Sequence, residues 1–313
     1  MARNPIQFQS GLSLPAFLKQ YGKEAQCQEA LFQYRWPKGF VCPDCGNTTG
    51  CRLSRGLYQC HRCHHQTSLT AGTIFHATHL PLTTWFLAIY LLTQRKSGLS
   101  ALQLSRDLGV AYNTAWKLKH KVLQVMYDHN QGEKLSGRIE VDDAYLGGER
   151  SGKPGRGAEH KFPFVAAVQT NSDGHPIRVQ LRRVSGFTLA EVRRYAQQAI
   201  APESKVVSDG LHCFRAFETS TCVHERHITG GGRASMANPE FNWVNTLLGN
   251  VKNAITGTYH AIREQHAPRY LAEFEYRFNR RYDLKAMLPR FLIVAARTPP
   301  MPYRLLKMAD SYA

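Results

Sequence analysis

Four polar residues in the second half of the chain could form a metal-dependent site for chemistry on phosphodiesters. Asp142 lies in a stretch typical of a strand, Asp209 lies at the end of another, and Asn245 lies in a predicted helix. Lys252 follows Asn245 by seven positions, nearly two helical turns, so both side chains share one helix face. Mg²⁺ prefers oxygen ligands, and two such ions can activate an oxygen nucleophile and neutralise the leaving oxygen. Lys252 would then neutralise a phosphate beside the scissile bond.

Each of these residues also has an ordinary structural explanation. An aspartate after a strand is often a turn former or a helix N-cap. Asn245 could equally be a buried amide whose hydrogen bonds are satisfied. Considered singly, each residue is more consistent with a structural role. The order and context of all four together favour a metal site.

Four cysteines form a second candidate metal centre. They occur as two Cys-x2-Cys pairs separated by fourteen residues, and they are Cys42, Cys45, Cys60 and Cys63. Zinc prefers four such ligands in a tetrahedral array, and a filled shell leaves no position for a catalytic water. We therefore predict a zinc ribbon with structural Zn²⁺, whose binding contributes to the folding free energy of this segment. The other cysteines are scattered and indicate no disulfide framework.

The charge of the chain indicates a polyanionic partner. Its 313 residues include 40 Lys and Arg against 23 Asp and Glu, a formal net charge of +17. Such a field attracts nucleic acid, and we favour that interpretation over a merely solvated basic surface. The start of the chain has no apolar segment typical of a signal peptide. The longest apolar run, residues 85–92, is too short to span a bilayer. We expect a cytoplasmic protein, associated with the nucleoid and without a membrane partner.

Periodicity and turn residues predict the elements that must position these sites. The first part should contain a helix over 13–35, short strands with two tight turns up to about 70, and a helix that begins near Pro81. The second part should contain strands RIEVDDAYLG and SKVVSDG, a hairpin from FPFVAAVQT to PIRVQLRRV, and helices over 189–200, about 242–255 and about 266–282. GERSGKPGRGAEHK and HITGGGRASMANPE are typical of loops.

Residues 100–126 predict a helix-turn-helix. A turn around Leu108-Gly109-Val110 separates two helices, and the second would meet DNA with its polar groups. The candidate DNA-contacting residues of that helix are Tyr112, Asn113, Lys117, Lys119 and Lys121. The alternative is an αα-hairpin that serves only as a packing module.

The predicted helix near the C-terminus carries both aromatic and basic residues. Tyr270, Phe274 and Phe278 form an i, i+4, i+8 stripe, which favours core packing over base stacking. Arg277 and Arg281 are candidates for contacts with the phosphate backbone of DNA; the alternative is that the arginines of this helix are solvated or paired with Glu273 and Glu275.

Several stretches resemble one protein family. They are RWPKGFVCPDCG, YQCHRCHHQTSLTAGTIF, VDDAYLGGE, VVSDG, NWVNTLLGNVKNAITGTYH and RYLAEFEYRFNRR. The chain resembles a bacterial insertion-sequence transposase with an N-terminal zinc ribbon and a DDE-type, RNase H-like catalytic domain. The resemblance implies an α/β fold, with a mixed sheet flanked by helices, preceded by a zinc ribbon and a helix-turn-helix. The predicted segments are a helical start over 10–37, the ribbon over 38–72, the helix-turn-helix over 80–128, the catalytic domain over 136–297 and a tail over 298–313.

The resemblance also implies roles for the four polar residues. Asp142 and Asp209 correspond to the two catalytic aspartates, and the third position, commonly Glu followed seven residues later by Lys, corresponds to Asn245 and Lys252. Asn offers only a neutral oxygen as a metal ligand. Three interpretations follow: Asn245 suffices as the third ligand, Glu240 assists it, or the chain is a degenerate copy. We favour the first because Lys252 keeps its place.

A further acidic residue adjoins the first aspartate. Alternation along a strand aims Asp142 and Asp143 at opposite faces, so at most one is a primary ligand. Periodicity does not choose between them, and the resemblance selects Asp142.

The function implied by the resemblance is transposition of an insertion sequence. The enzyme would bind terminal inverted repeats in double-stranded DNA and catalyse strand cleavage and strand transfer with two Mg²⁺ or Mn²⁺ ions held by Asp142, Asp209 and Asn245. A homo-oligomer, a dimer or larger, is expected on DNA. Two alternatives are a DNA-binding regulator with an inactive nuclease domain, which the asparagine favours, and a nuclease of the same fold.

Overall fold

The computed structural model describes residues 6–147, 161–228 and 238–307. Nearly all of the glycine-rich loop predicted after the strand RIEVDDAYLG, and most of the loop predicted over 227–240, lie outside these residues. The described chain forms two compact units, one from residues 6–125 with 280–307 and the other from residues 126–279. The five-segment division made from the sequence stays a prediction. No helix within the described ranges is both long and apolar enough to cross a membrane.

The first unit begins with two helices, α1 (Leu14–Tyr21) and α2 (Glu24–Arg35). The Ser13 side chain caps α1 by accepting from the N–H of Ala16. One continuous helix was predicted here, but α1 ends at Gly22, whose N–H donates to the carbonyl of Leu18. The break lets both helices bury their apolar faces in the same core.

The ribbon follows as a three-stranded antiparallel sheet in the order β1-β2-β3. The strands are β1 (Gly50–Arg52), β2 (Tyr58–Cys60) and β3 (Gln66–Thr67). Aromatic rings from α2 and the residues after it pack against Tyr58, with Phe32 and Trp36 at centroid distances of 5.4 and 5.3 Å. The predicted short strands are confirmed.

Three helices follow the ribbon, the third of which ends within the second unit, and two more complete the first unit. They are α3 (Leu82–Gln94), α4 (Ala101–Leu108) and α5 (Tyr112–Asn130), and later α9 (Leu284–Ala295) and α10 (Tyr303–Lys307). Helix α4 ends at Gly109, whose φ of +64° is left-handed and suits glycine. The helices α4 and α5 therefore lie where the sequence predicted them, separated by a short turn. The predicted elements did not include α9 or α10.

The second unit is built on a five-stranded mixed sheet. Its strands are β4 (Arg138–Leu146), β5 (Phe162–Thr170), β6 (Pro176–Arg183), β7 (Lys205–Asp209) and β8 (Val223–His227). The spatial order is β6-β5-β4-β7-β8, with antiparallel pairs among the first three strands and parallel pairs from β4 through β8. This order and direction are those of an RNase H-like sheet, so the predicted α/β class is confirmed.

Two hydrophobic cores cover the two faces of this sheet. One contains Ile139 and Val141 of β4 and is covered by α6 (Leu189–Ala199) and the 3₁₀ helix His212–Thr219. The opposite core contains Ala144 and Leu146 of β4. Because side chains alternate along a strand, Asp142 belongs to the second of these faces.

Helices α7 (Asn242–Tyr259) and α8 (Ala267–Asn279) cover the face that contains Asp142. Phe274 and Phe278 of α8 pack against that core, and Tyr270 contacts the ring of Tyr259 at 4.7 Å. The prediction that the aromatic stripe packs is confirmed. Helix α8 ends at Asn279, three residues before the predicted end.

Candidate functional site

The four paired cysteines converge at one point of the ribbon. The sulfur atoms of Cys42 and Cys63 lie 3.6 Å apart, as do those of Cys45 and Cys60, and all four lie within 4.8 Å of one another. A disulfide would bring two sulfurs to about 2.05 Å. Zn–S bonds of about 2.3 Å in a tetrahedron separate the sulfurs by about 3.8 Å. The thiols therefore fit a tetrahedral zinc ion.

Two tight turns bring these sulfurs together. The N–H of Gly46 donates to the carbonyl of Cys42 at 3.0 Å, and that of His64 donates to Cys60 at 3.2 Å. Gly46 and His64 both have left-handed backbones, with φ of +70° and +58°. The sulfur of Cys60 also accepts from the N–H of Arg62 at 3.3 Å. Donors of this kind stabilise a thiolate, the form that binds zinc.

The second convergence is a group of carboxylates at the end of the β4–β7 pairing. Oxygens of Asp142, Asp143 and Asp209 lie within 4.8 Å of one another. The cause is strand register: β4 and β7 run parallel with Val141 opposite Ser208, and one aspartate follows on each strand. The two aspartates selected from the sequence are thus brought together.

Asp143 also belongs to this group, which strand alternation does not predict. Its backbone N–H donates to Oδ1 of Asp142 at 2.8 Å, and its carboxylate contributes an oxygen to the group. The choice of Asp142 as the primary ligand stays a prediction.

The electrostatics of Asp142 favour a cation close to its carboxyl group. Burial raises the pKa of Asp142 to about 7, and the negative charges of Asp143 and Asp209 act in the same direction. Lys252 lowers the pKa, so the lysine is close enough for its charge to act on this carboxyl. Partly buried carboxylates that repel one another are stabilised by a cation, and oxygen donors suit a hard divalent ion.

Asn245 lies in the first turns of α7, the helix that also carries Lys252. Its Nδ2 atom is buried and has no hydrogen-bond partner among the described residues. The two ends of an amide are assigned from hydrogen bonding rather than seen directly. The opposite orientation would place the carbonyl oxygen there, as a metal ligand requires. Contact between Asn245 and the two aspartates stays a prediction.

Glu240, the alternative third ligand, belongs to a different cluster. Its carboxylate groups with Glu225 and His227 and pairs with Arg138 at 2.5 Å. Glu225 in turn pairs with Lys205 at 2.6 Å. Because protein cations already neutralise both glutamates, this cluster offers little to a metal ion.

Glu140 is a residue of the site region that the sequence reasoning missed. Its side chain is 1% exposed, and its Oε2 accepts from the backbone N–H groups of Trp243 and Val244 at 2.9 and 3.0 Å. It ties the start of α7 to β4, two residues before Asp142. An acidic residue on the same face of a buried strand as Asp142 was the signal in the sequence.

The candidate DNA-contacting residues of α5 differ in accessibility. Tyr112 is 51% exposed, and Asn113 and Lys117 are exposed as well. Lys121 is half-buried, with its ammonium 5.7 Å from the centre of the Trp85 ring. Lys119 is fully buried and donates to the carbonyl of Leu99 at 2.8 Å. The expectation that Lys119 contacts DNA is therefore corrected, because its ammonium forms a buried hydrogen bond inside the protein.

The two arginine candidates are largely enclosed. The side chain of Arg277 is only 10% exposed and lies 3.8 Å from the carboxylate of Glu273. Its predicted role at a phosphate backbone is corrected, because buried pairing within α8 occupies it. Arg281 is half-buried with its guanidinium 4.3 Å from the centre of the Tyr282 ring.

Comparison with known protein families decides the identity. The family model described as a transposase zinc-ribbon domain matches residues 22–66, and the model described as an ISXO2-like transposase domain matches residues 134–279. The chain belongs to the insertion-sequence transposases with an N-terminal zinc ribbon. In this transposase the cysteine cluster falls within the first match and the aspartate cluster within the second.

One curated protein and one solved structure are similar to parts of this chain. The transposase is 28% identical over 234 residues to an uncharacterized protein in transposable element ISH50 of Halobacterium salinarum, covering 68% of this chain and 76% of the relative. A solved structure, the Mos1 transposase paired-end complex with left transposon end, is 10% identical and covers 63% of this chain and 77% of that one. Its TM-score of 0.18 is too low to support any argument about fold or function.

Proposed function

We propose that this transposase binds the terminal inverted repeats of its own element and catalyses metal-dependent strand cleavage and strand transfer. The observation that carries the proposal is the convergence of the partly buried Asp142 and Asp209, with the charge of Lys252 acting on the same carboxyl. A phosphodiester is a polyanion, and a site for its cleavage needs negative oxygen ligands for cations together with a positive side chain for the substrate.

Asp142, Asp209 and Asn245 would hold two Mg²⁺ or Mn²⁺ ions. When bound, such ions activate an oxygen nucleophile and neutralise the leaving oxygen. The raised pKa of Asp142 and the buried amide end of Asn245 both fit side chains that would bind a cation. Asn245 contributes no charge, so the second ion should bind more weakly than at a site with three carboxylates.

The reaction would proceed in two chemically similar steps. Water first attacks the phosphorus at the element's end, a new P–O bond forms, and the bond to the 3′-oxygen breaks to release a 3′-hydroxyl. That hydroxyl then attacks a phosphorus of target DNA and displaces a second 3′-hydroxyl. Lys252 would hold a phosphate oxygen near the scissile bond, where its charge also acts on Asp142.

End recognition would fall to the ribbon and to helices α4 and α5. The net charge of +17 supplies the general attraction for DNA. Exposed Tyr112, Asn113 and Lys117 at the start of α5 would supply contacts to the duplex. We propose that a homo-oligomer, a dimer or larger, pairs two such ends.

A strand-transfer assay tests the proposal. Purified protein, with Mg²⁺ or Mn²⁺ and a duplex carrying the element's end, should give nicked and joined products that Asp142→Ala lacks. Sequence-specific binding without any product would instead identify a regulator with an inactive nuclease domain. Cleavage indifferent to the end sequence, without joined product, would identify a nuclease.

A further inference from the structure

Helix α7 is capped by a residue from another element. Its N-cap residue is Phe241, whose side chain has no acceptor for the free amides of the first turn. Glu140 of β4 takes this role: its Oε2 accepts from the N–H of Trp243 at 2.9 Å and from that of Val244 at 3.0 Å. A carboxylate at this end of a helix is also stabilised by the helix dipole.

The second oxygen of the Glu140 carboxylate also accepts a hydrogen bond. Oε1 accepts from Arg138 at 2.9 Å, and the same guanidinium donates to the Glu240 side chain at 2.5 Å and to its carbonyl at 3.3 Å. Glu240 belongs to the 3₁₀ segment Pro239–Phe241 that leads into α7. The start of the helix is therefore tied to β4 through both oxygens of one buried side chain.

This attachment lies between the proposed ligands of the metal site. Glu140 and Asp142 are two positions apart on one strand and so share a face of the sheet. Asn245 follows Val244, whose amide Glu140 binds. A displacement or rotation of the first turn of α7 would move Asn245 relative to Asp142.

We propose that Glu140 is a positioning residue of the metal site, which sets the placement of Asn245 relative to the two aspartates. This inference rests on the proposed function, because it assumes that Asn245 is a ligand. Groups that orient metal ligands typically change metal affinity by about 10–100-fold when removed. Glu140 would act through the helix backbone and need not contact an ion.

Metal affinity in the absence of DNA provides the first test. Titration of the full chain with Mn²⁺, followed by calorimetry or by the paramagnetic signal of free Mn²⁺, should show about tenfold weaker binding in Glu140→Ala. Glu140→Gln keeps an oxygen that can accept from both amides and should lie closer to wild type. Amide exchange at Trp243 and Val244 should accelerate in Glu140→Ala.

A matched control exists in the first unit. Glu24 also caps a helix from a distance, because its carboxylate accepts from the N–H groups of Leu82 and Thr83 at the start of α3, at 3.0 and 3.1 Å. Glu24→Ala removes the same kind of interaction from a helix that carries none of the proposed ligands. It should lower thermal stability without changing Mn²⁺ affinity.

A double-mutant cycle separates positioning from general destabilisation. If Glu140 acts through Asn245, then Glu140→Ala should weaken Mn²⁺ binding about tenfold in wild type but hardly at all in Asn245→Ala. Equal weakening in both backgrounds would overturn the inference. Should Glu140→Ala fail to fold, Glu140→Gln takes its place in the cycle, with a smaller weakening of Mn²⁺ binding that should again disappear in the Asn245→Ala background.

The outcomes also distinguish this inference from the proposed function. Wild-type protein that binds Mn²⁺ but tolerates Glu140→Ala overturns the positioning role alone. If the cycle shows coupling between Glu140 and Asn245 in Mn²⁺ binding, but the wild-type protein joins no DNA ends, the proposed function alone is overturned. Wild-type protein that binds no Mn²⁺ overturns both.

Discussion

Asp142 of β4 and Asp209 of β7 present carboxylate oxygens within 4.8 Å of each other. The parallel pairing of their strands ends with Val141 opposite Ser208, so the two aspartates are the next residues on neighbouring strands. The sheet thus holds two carboxyl groups close together; burial raises the pKa of Asp142, and the charges of Asp143 and Asp209 add to this effect. Carboxylate oxygens grouped in this way suit a hard divalent cation.

Loss of Asp142 should abolish catalysis without loss of fold. Asp142→Asn removes a charged ligand while retaining the size of the side chain, and we expect strand transfer to fall at least about 10²-fold. It should also relieve repulsion, so the metal-free variant should melt no lower than wild type at pH 7.5. The matched control is Asp173→Asn in the β5–β6 turn, an exposed aspartate outside the cluster. Wild-type activity in Asp142→Asn would remove this residue from the site.

Asn245 should be sensitive to truncation. Asn245→Ala removes the proposed third oxygen ligand, and metal-dependent strand transfer should fall by at least about 10²-fold. Asn245→Asp restores the charge that asparagine lacks and should bind Mn²⁺ more tightly than wild type. Exposed Asn253 on the same helix supplies the control, because Asn253→Ala should leave both quantities unchanged. An unaffected rate in Asn245→Ala would place the third ligand elsewhere.

The ribbon should depend on its zinc. Cys60→Ser removes one of four converging thiols, so the purified protein should lose its equivalent of zinc and the ribbon should unfold. Cys51→Ser provides the comparison, since Cys51 is exposed on β1 and lies outside the cluster. Zinc content by atomic emission, together with amide exchange over residues 38–70, measures both effects. A ribbon that stays folded in strong chelator contradicts the prediction.

His266 should make the second unit sensitive to acid. Burial lowers the pKa of His266 to about 4, and the positive charges of Arg269 and Arg263 act in the same direction. Between pH 6.5 and 4, His266 binds a proton in the unfolded chain but not in the folded chain. The free energy of unfolding therefore decreases as the pH falls.

The corresponding measurement compares His266→Gln with wild type in urea unfolding. On going from pH 7 to pH 5, the free energy of unfolding should fall by roughly 1 kcal/mol more in wild type than in the variant, after allowance for solvent screening. Identical pH dependence in the two proteins would show that His266 titrates normally in the fold.

Lys117 should contribute to DNA affinity through a phosphate. Lys117→Gln should weaken binding to end-sequence and random duplexes alike and reduce the slope of log K against log salt by about 0.9. Exposed Lys285, on α9, gives a matched control in which the slope should stay at the wild-type value. A slope unchanged in Lys117→Gln as well would remove α5 from the DNA interface.

Sequence periodicity anticipated the elements that carry strong local signals. The alternation in RIEVDDAYLG and the turn residues of NSDGH are contained within a few positions, and both correspond to observed strands and a hairpin. Strand β8 was not anticipated, because Val223–His227 is mostly polar and owes its extended form to pairing with β7. Local sequence patterns do not indicate which strands will pair.

The sequence by itself singled out the four paired cysteines by residue type and close spacing, whereas Asp142 and Asp209 were selected through the resemblance to a protein family. Only the tertiary structure showed that Asp143 joins the carboxylates, that Glu140 caps the helix of Asn245, and that Lys119 is buried. These facts depend on strand register and on packing between distant segments. The residue type determines the chemistry of a side chain, whereas the whole fold determines its neighbours and its exposure.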